Sequence, residues 1–186
     1  MKDTLIKYIS NGLNNVPIGV NIGLLLVFCL GSFILLACMG FKKGTKWSAK
    51  LLLLVYLLWV LFSTVCFREV MLERKYHLVP FKVIRAFQAR NYYSLSECLM
   101  NVVAFIPIGV LLGRSFYRRK WWIVIMIGFG FSILIEILQF ILKRGFAELD
   151  DVFHNVLGCV IGLFAFYVVD AMVKEAVKQR KDYPRG

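Results

Sequence analysis

The sequence is poor in charge and poorer still in acid. Of 186 residues only 18% are charged, with 23 Lys or Arg against 11 Asp or Glu. So few charges set among 60% hydrophobic residues cannot coat a water-soluble domain, whose chain would alternate apolar and polar positions far more often. There are two histidines and no H-E-x-x-H, G-x-S-x-G or C-x-x-C, which leaves out the common zinc-hydrolase, serine-nucleophile and dithiol signatures. The five cysteines (Cys29, Cys38, Cys66, Cys98, Cys159) are odd in number, scattered and nearly all inside apolar runs. They read as small buried packing residues, and no metal or cofactor is expected. The net charge of +12 would suit nucleic acid, but the basic residues stand in short clusters between apolar runs. That is the pattern of membrane surfaces, so nucleic acid is not an expected partner.

What is present is a series of hydrophobic runs of membrane-crossing length, which predicts an all-α polytopic bundle of five transmembrane helices. The first span covers 17–40, opened by Asn15-Val16-Pro17. Leu35-Leu36-Ala37-Cys38 has the look of a lipoprotein cleavage box, but Lys42, Lys43, Lys46 and Lys50 follow the run, whereas a signal peptide is basic before a shorter core; the helix is expected to remain uncleaved. The second span covers 48–67. Between Arg68 and Ser96 the chain turns polar, with Phe81, Ile84 and Phe87 at a three-residue spacing among Lys82, Arg85 and Arg90; this predicts a short interfacial helix or a loop with aromatic anchors. Ser94-Leu95-Ser96-Glu97 has the form of a capping box opening a third span, 97–113, in which Pro107 should kink the helix. The fourth span covers 121–142 and the fifth 152–169, followed by a basic amphipathic tail. Three units result: 1–67 with two spans, 68–170 with the interfacial loop and three spans, and a tail of 171–186.

Against that apolar background the polar residues stand out. Ser132, Glu136 and Gln139 fall at i, i+4 and i+7 on one side of the fourth span, and Asp151, Asn155, Gly158 and Gly162 follow a similar progression along the fifth. An ionisable side chain at membrane depth costs a few kcal/mol or more, so Glu136 needs a partner and marks a functional site, although interhelical polar contacts also serve structure alone. Counting Lys and Arg in alternate loops gives 13 on the side of the C-terminus against 10 on the other, and the shortest basic connections, 41–50 and 114–120, fall on the richer side. This predicts an outer N-terminus and an inner C-terminus. Asn101, Glu136, Gln139 and Asn155 then lie within about 10 Å of the outer ends of their spans, under a turn carrying Arg144, Glu148, Asp150 and Asp151. Small-residue pairs at i, i+4 (Gly19 and Gly23, Gly109 and Gly113, Gly158 and Gly162) should let the helices approach closely.

N-V-V-A-F-I-P-I-G (101–109), S-I-L-I-E-I-L-Q (132–139) and R-G-F-A-E-L-D-D-V-F-H-N-V-L-G-C-V-I-G (144–162), with Arg68 and L-V-P-F (78–81), resemble the VanZ-like family of bacterial membrane proteins. His77 stands where that family often has asparagine, and Val156 where it often has threonine. The resemblance implies a multi-pass protein of the bacterial cytoplasmic membrane, whose name-giving member is associated with low-level teicoplanin resistance. It also implies that Asn101, Glu136, Gln139, Arg144, Asp151 and Asn155 are characteristic polar positions.

Three functions fit these residues. A binding or shielding module would engage a membrane lipid, a lipid-linked cell-wall precursor or a lipoglycopeptide at the outer leaflet, with Arg144 and the amides as donors. A membrane enzyme would use Glu136 as general acid or base, with Asp151 or His154 as companion and Arg144 holding a phosphate. The adjacent acids Asp150 and Asp151 point apart on a helix, which favours capping over Mg²⁺ binding, and His154 reads as a packed histidine. In the third reading the polar cluster is purely structural. The binding module is the expected function.

Overall fold

The structure is a computed structural model that describes residues 45–66, 68, 70–81, 84, 87, 88, 90, 92–116 and 120–182, together with 27 and 31. Apart from Val27 and Gly31, the first expected span lies outside the described residues, as does the pair Gly19 and Gly23. Among the described residues four helices carry the architecture: α1 (Thr45–Leu61), α2 (Tyr92–Ser115), α3 (Trp121–Leu142) and α4 (Leu149–Asp182). Each contains a segment long and apolar enough to cross a membrane, namely Trp47–Cys66, Ser94–Ser115, Trp121–Leu142 and Leu149–Gln179. The chain is an all-α, multi-pass membrane bundle.

Most helix ends differ from the sequence expectation in ways that have local causes. α2 begins at Tyr92, ahead of the expected capping box. Ser94 is buried in its first turn, so its side chain faces the bundle and does not open the helix. α2 then runs through Pro107 as one helix. α4 begins at Leu149 and continues to Asp182, absorbing most of what reads in the sequence as a separate tail. α3 has the expected bounds and ends in Lys143, whose left-handed backbone (φ 54°) turns its N–H back to the carbonyl of Gln139. Past α1 the chain widens into a π-helical turn, Phe62–Cys66.

The segment between α1 and α2 differs most from expectation. Ile84, Phe87 and Gln88 are helical, but ahead of them a three-residue strand, β1 (Lys75–His77), pairs in parallel with β2 (Phe146–Glu148) in the α3–α4 turn. The pairing places Lys75 opposite Phe146, Tyr76 opposite Ala147 and His77 opposite Glu148. Val70 bridges Arg144, and the Met71 amide donates to the Lys143 carbonyl at 2.8 Å. Residues 70–81 therefore form a strap stitched across the end of the bundle. Leu72 is 96% exposed on it, with Leu78, Val79 and Phe81 also exposed, an apolar edge suited to an interface.

The tightest helix contact joins α2 to α4, which run in the same direction. A Cβ on Gly158 would strike the Val102 carbonyl, one on Gly162 the Ile106 carbonyl, and one on Gly109 the Cys159 carbonyl. Only residues without a side chain let the two backbones lie this close. Gly113 continues the same seam against the Phe166 ring, and Tyr56 of α1 closes the other side by donating to the Ala104 carbonyl at 2.8 Å.

Candidate functional site

The polar residues of α3 and α4 lie at the strap end of the bundle and form a ladder descending into it. At its foot Asn155 donates through Nδ2 to Ser132 Oγ at 2.9 Å, with both residues buried. One turn nearer the surface, Glu136 is 8% exposed, and its Oε2 accepts the backbone N–H of Glu148 at 2.8 Å. The charges of Asp151, Arg68 and Glu148 act on it. Its side chain is turned into the bundle and away from the acyl chains, in keeping with the cost of an ionisable group at that depth.

Gln139 stands a turn higher and is 2% exposed. Its Nε2 donates to the Thr64 carbonyl at 3.0 Å. That carbonyl is available because Thr64 lies in the last helical turn, which ends at Cys66 and whose carbonyls have no partner within the helix. The Ser63 and Thr64 hydroxyls are occupied locally, both donating to Val60 O. Arg144 Nη1 donates to the carbonyl of Cys66 and, at 3.1 Å, to that of Arg68. Gly145 (φ 92°) provides the bend, and the Arg68 side chain packs where its Cβ would be.

Arg144 Nη1 and the amide nitrogens of Gln139 and Asn155 each already donate to a protein acceptor. The same site holds acceptor capacity, because Gln139 Oε1 and Asn155 Oδ1 are buried without a hydrogen-bond partner.

The remaining sites fall as follows. Asn101 is half-buried on α2. The α2–α4 glycine contacts bring it to about the height of Asn155, within roughly half a turn at 1.5 Å per residue. It joins none of the ladder's hydrogen bonds among the described residues. Asp151 and Asp150 lie in the first turn of α4, where carboxylates suit the helix dipole, and Asp150 Oδ1 also accepts the Phe81 amide at 2.8 Å. His154 Nδ1 is buried without a hydrogen-bond partner, so it makes no bond to Glu136. Thr64 and Cys66 are contributors the sequence does not reveal, since they act through backbone carbonyls that carry no side-chain signature.

This combination defines a class: a multi-pass helical membrane protein with a polar ladder between two of its helices and a strap over the open end. The chain belongs to the VanZ/LLP1 family, whose model matches residues 47–170. It is similar to Protein VanZ of Enterococcus faecium, with 32% identity over 95 residues. That match covers 49% of this chain and 52% of the relative, about half of each. No solved structure matches.

Proposed function

We propose that this chain is a binding module of the bacterial cytoplasmic membrane that takes up the head group of a lipid-linked cell-wall precursor or a lipoglycopeptide from the outer leaflet, in a role linked to teicoplanin-type glycopeptide resistance. The observation that carries the reading is Glu136, an ionisable side chain deep in an apolar helix that is turned inward toward Arg68, Asp151 and Glu148 under the strap. A protein that needed only to hold its helices together would do so with amides and glycines, which this bundle already has.

The purified chain in nanodiscs is expected to bind such a ligand, and Glu136→Ala to weaken that binding. Equal binding by the two proteins for every lipid and glycopeptide tried removes the reading. Glu136→Gln separates charge from hydrogen bonding: its amide oxygen still accepts from the Glu148 amide, so unchanged binding in a folded Glu136→Gln protein makes the group structural. The proximity of Asp151 supports catalysis as a second reading, with Glu136 as general acid or base. Membrane-lipid mass spectrometry of cells with and without the protein tests it, and an unchanged lipid profile counts against it.

A further inference from the structure

We infer that the ladder takes hydrogen-bond donors of its ligand, meaning hydroxyl or ammonium groups, on two buried amide oxygens. The inference rests on the binding reading above and narrows its ligand. It starts from two atoms, Gln139 Oε1 and Asn155 Oδ1, which are buried without a hydrogen-bond partner on residues 2% and 4% exposed. A buried acceptor left unmade costs free energy that a matching donor recovers.

The orientation of Gln139 is fixed by its neighbour. Its amide nitrogen faces the Thr64 carbonyl at 3.0 Å, an atom that only accepts, so the amide oxygen is the end that faces away. Asn155 places Nδ2 on Ser132 Oγ, which leaves its oxygen without a partner. Arg144 Nη1 donates to the carbonyls of Cys66 and Arg68. The Arg68 guanidinium lies over Gly145 and its charge acts on Glu136. A sugar hydroxyl or an ammonium brought here meets acceptors.

In a lipid-linked precursor or a lipoglycopeptide, the sugar and peptide parts carry such donors.

The test uses delipidated full-length chain in detergent and native mass spectrometry with four lipids sharing dioleoyl chains. Phosphatidylethanolamine offers ammonium donors, and glucosyl diacylglycerol offers hydroxyl donors. Phosphatidylcholine has a cation without N–H, and phosphatidic acid has a bare phosphate. One or both donor lipids should bind about tenfold tighter than phosphatidylcholine and phosphatidic acid, the effect of roughly one well-made hydrogen bond. Which donor lipid is preferred tells ammonium from hydroxyl.

Gln139→Met and Asn155→Leu should bring the preference toward unity. A folding defect would instead weaken all four lipids together, in which case the wild-type ratio decides. Binding without donor preference, or with phosphatidic acid ahead, overturns the inference and leaves the binding reading standing; water then satisfies the two acceptors. A preference that survives both substitutions overturns the assignment to Gln139 and Asn155. If no lipid and no glycopeptide binds, the binding reading falls and this inference with it.

Discussion

The backbone amide of Phe81 donates to Asp150 Oδ1 at 2.8 Å, joining residues 69 positions apart in the chain. It pins the far end of the strap to the first turn of α4, while the Val70–Arg144 bridge and the Met71–Lys143 bond hold the near end and β1–β2 pairing holds the middle. A strap held at three places with few apolar contacts should open locally at lower free energy than the helices beneath it. Asp150→Ala removes the acceptor for Phe81, a bond to a carboxylate worth about 1.5–3 kcal/mol at most. Amide hydrogen exchange in 75–81 should rise markedly while exchange in α2 and α3 stays as in the wild type. Asp150→Asn, which keeps an acceptor oxygen, should fall between them. Unchanged strap exchange in Asp150→Ala shows that the bond does not hold the strap.

The α2–α4 seam yields a prediction with an internal control. A methyl added at Gly158 or Gly162 meets a backbone carbonyl of α2, whereas one added at Gly130 meets nothing within 4 Å. Backbone cannot swing aside as a flexible side chain can, so Gly158→Ala and Gly162→Ala should each cost about 1–3 kcal/mol through overpacking. Gly130→Ala should be neutral or slightly stabilising. Thermal unfolding in detergent, followed by far-UV circular dichroism, ranks the three, and equal melting temperatures would show that the seam adjusts freely.

How far this arrangement can be read from the chain differs from element to element. Trp121–Leu142 is visible because a run with so few polar residues has no other stable state in a bilayer, and the i, i+4, i+7 spacing of Ser132, Glu136 and Gln139 puts all three on the inward side. The glycine pairs at 109 and 113 and at 158 and 162 are visible for the same reason, since their spacing returns to one face. The β1–β2 pairing is not. It consists of three residues on each side, 71 apart in register, too short for a period-2 pattern to emerge. The Thr64 and Cys66 carbonyls are hidden too, because every residue has a carbonyl and only the point where the helix ends leaves these two free. The donor roles suggested for Arg144, Gln139 and Asn155 follow from side-chain chemistry alone; which donors are already taken depends on neighbours far away in sequence.

The Gln139–Thr64 contact separates side-chain from backbone roles. Gln139→Leu leaves a carbonyl of α1 without its donor, and interhelical bonds of this kind in membranes are worth roughly 0.6–2 kcal/mol. Thr64→Val removes only a hydroxyl that bonds within its own helix to Val60 O at 2.7 Å, leaving the Thr64 carbonyl in place. The first substitution should therefore lower the unfolding midpoint by about 1 kcal/mol in free-energy terms, and the second should leave it within about 0.5 kcal/mol of wild type. Equal losses from both would place the contribution in the hydroxyl.

The strap should face outward and the opposite end inward. At that opposite end lie Lys50 near the start of α1, Arg114 at the close of α2, Lys120 before α3, and Lys174, which pairs with Asp170 at 2.6 Å. Basic residues flanking short loops stay on the cytoplasmic side, and the 13 to 10 distribution of Lys and Arg points the same way. Leu72→Cys places a thiol on the strap at a position 96% exposed, and Lys174→Cys places one at the other end. In intact cells a membrane-impermeant maleimide should label Leu72→Cys above the background of the native cysteines and should label Lys174→Cys only after permeabilisation. A fluorescent protein that matures only in the cytoplasm, fused to the C-terminus, should fluoresce. The reversed labelling pattern with a dark fusion would put the strap and its ladder on the cytoplasmic side, where no extracellular antibiotic or outer-leaflet head group reaches Glu136.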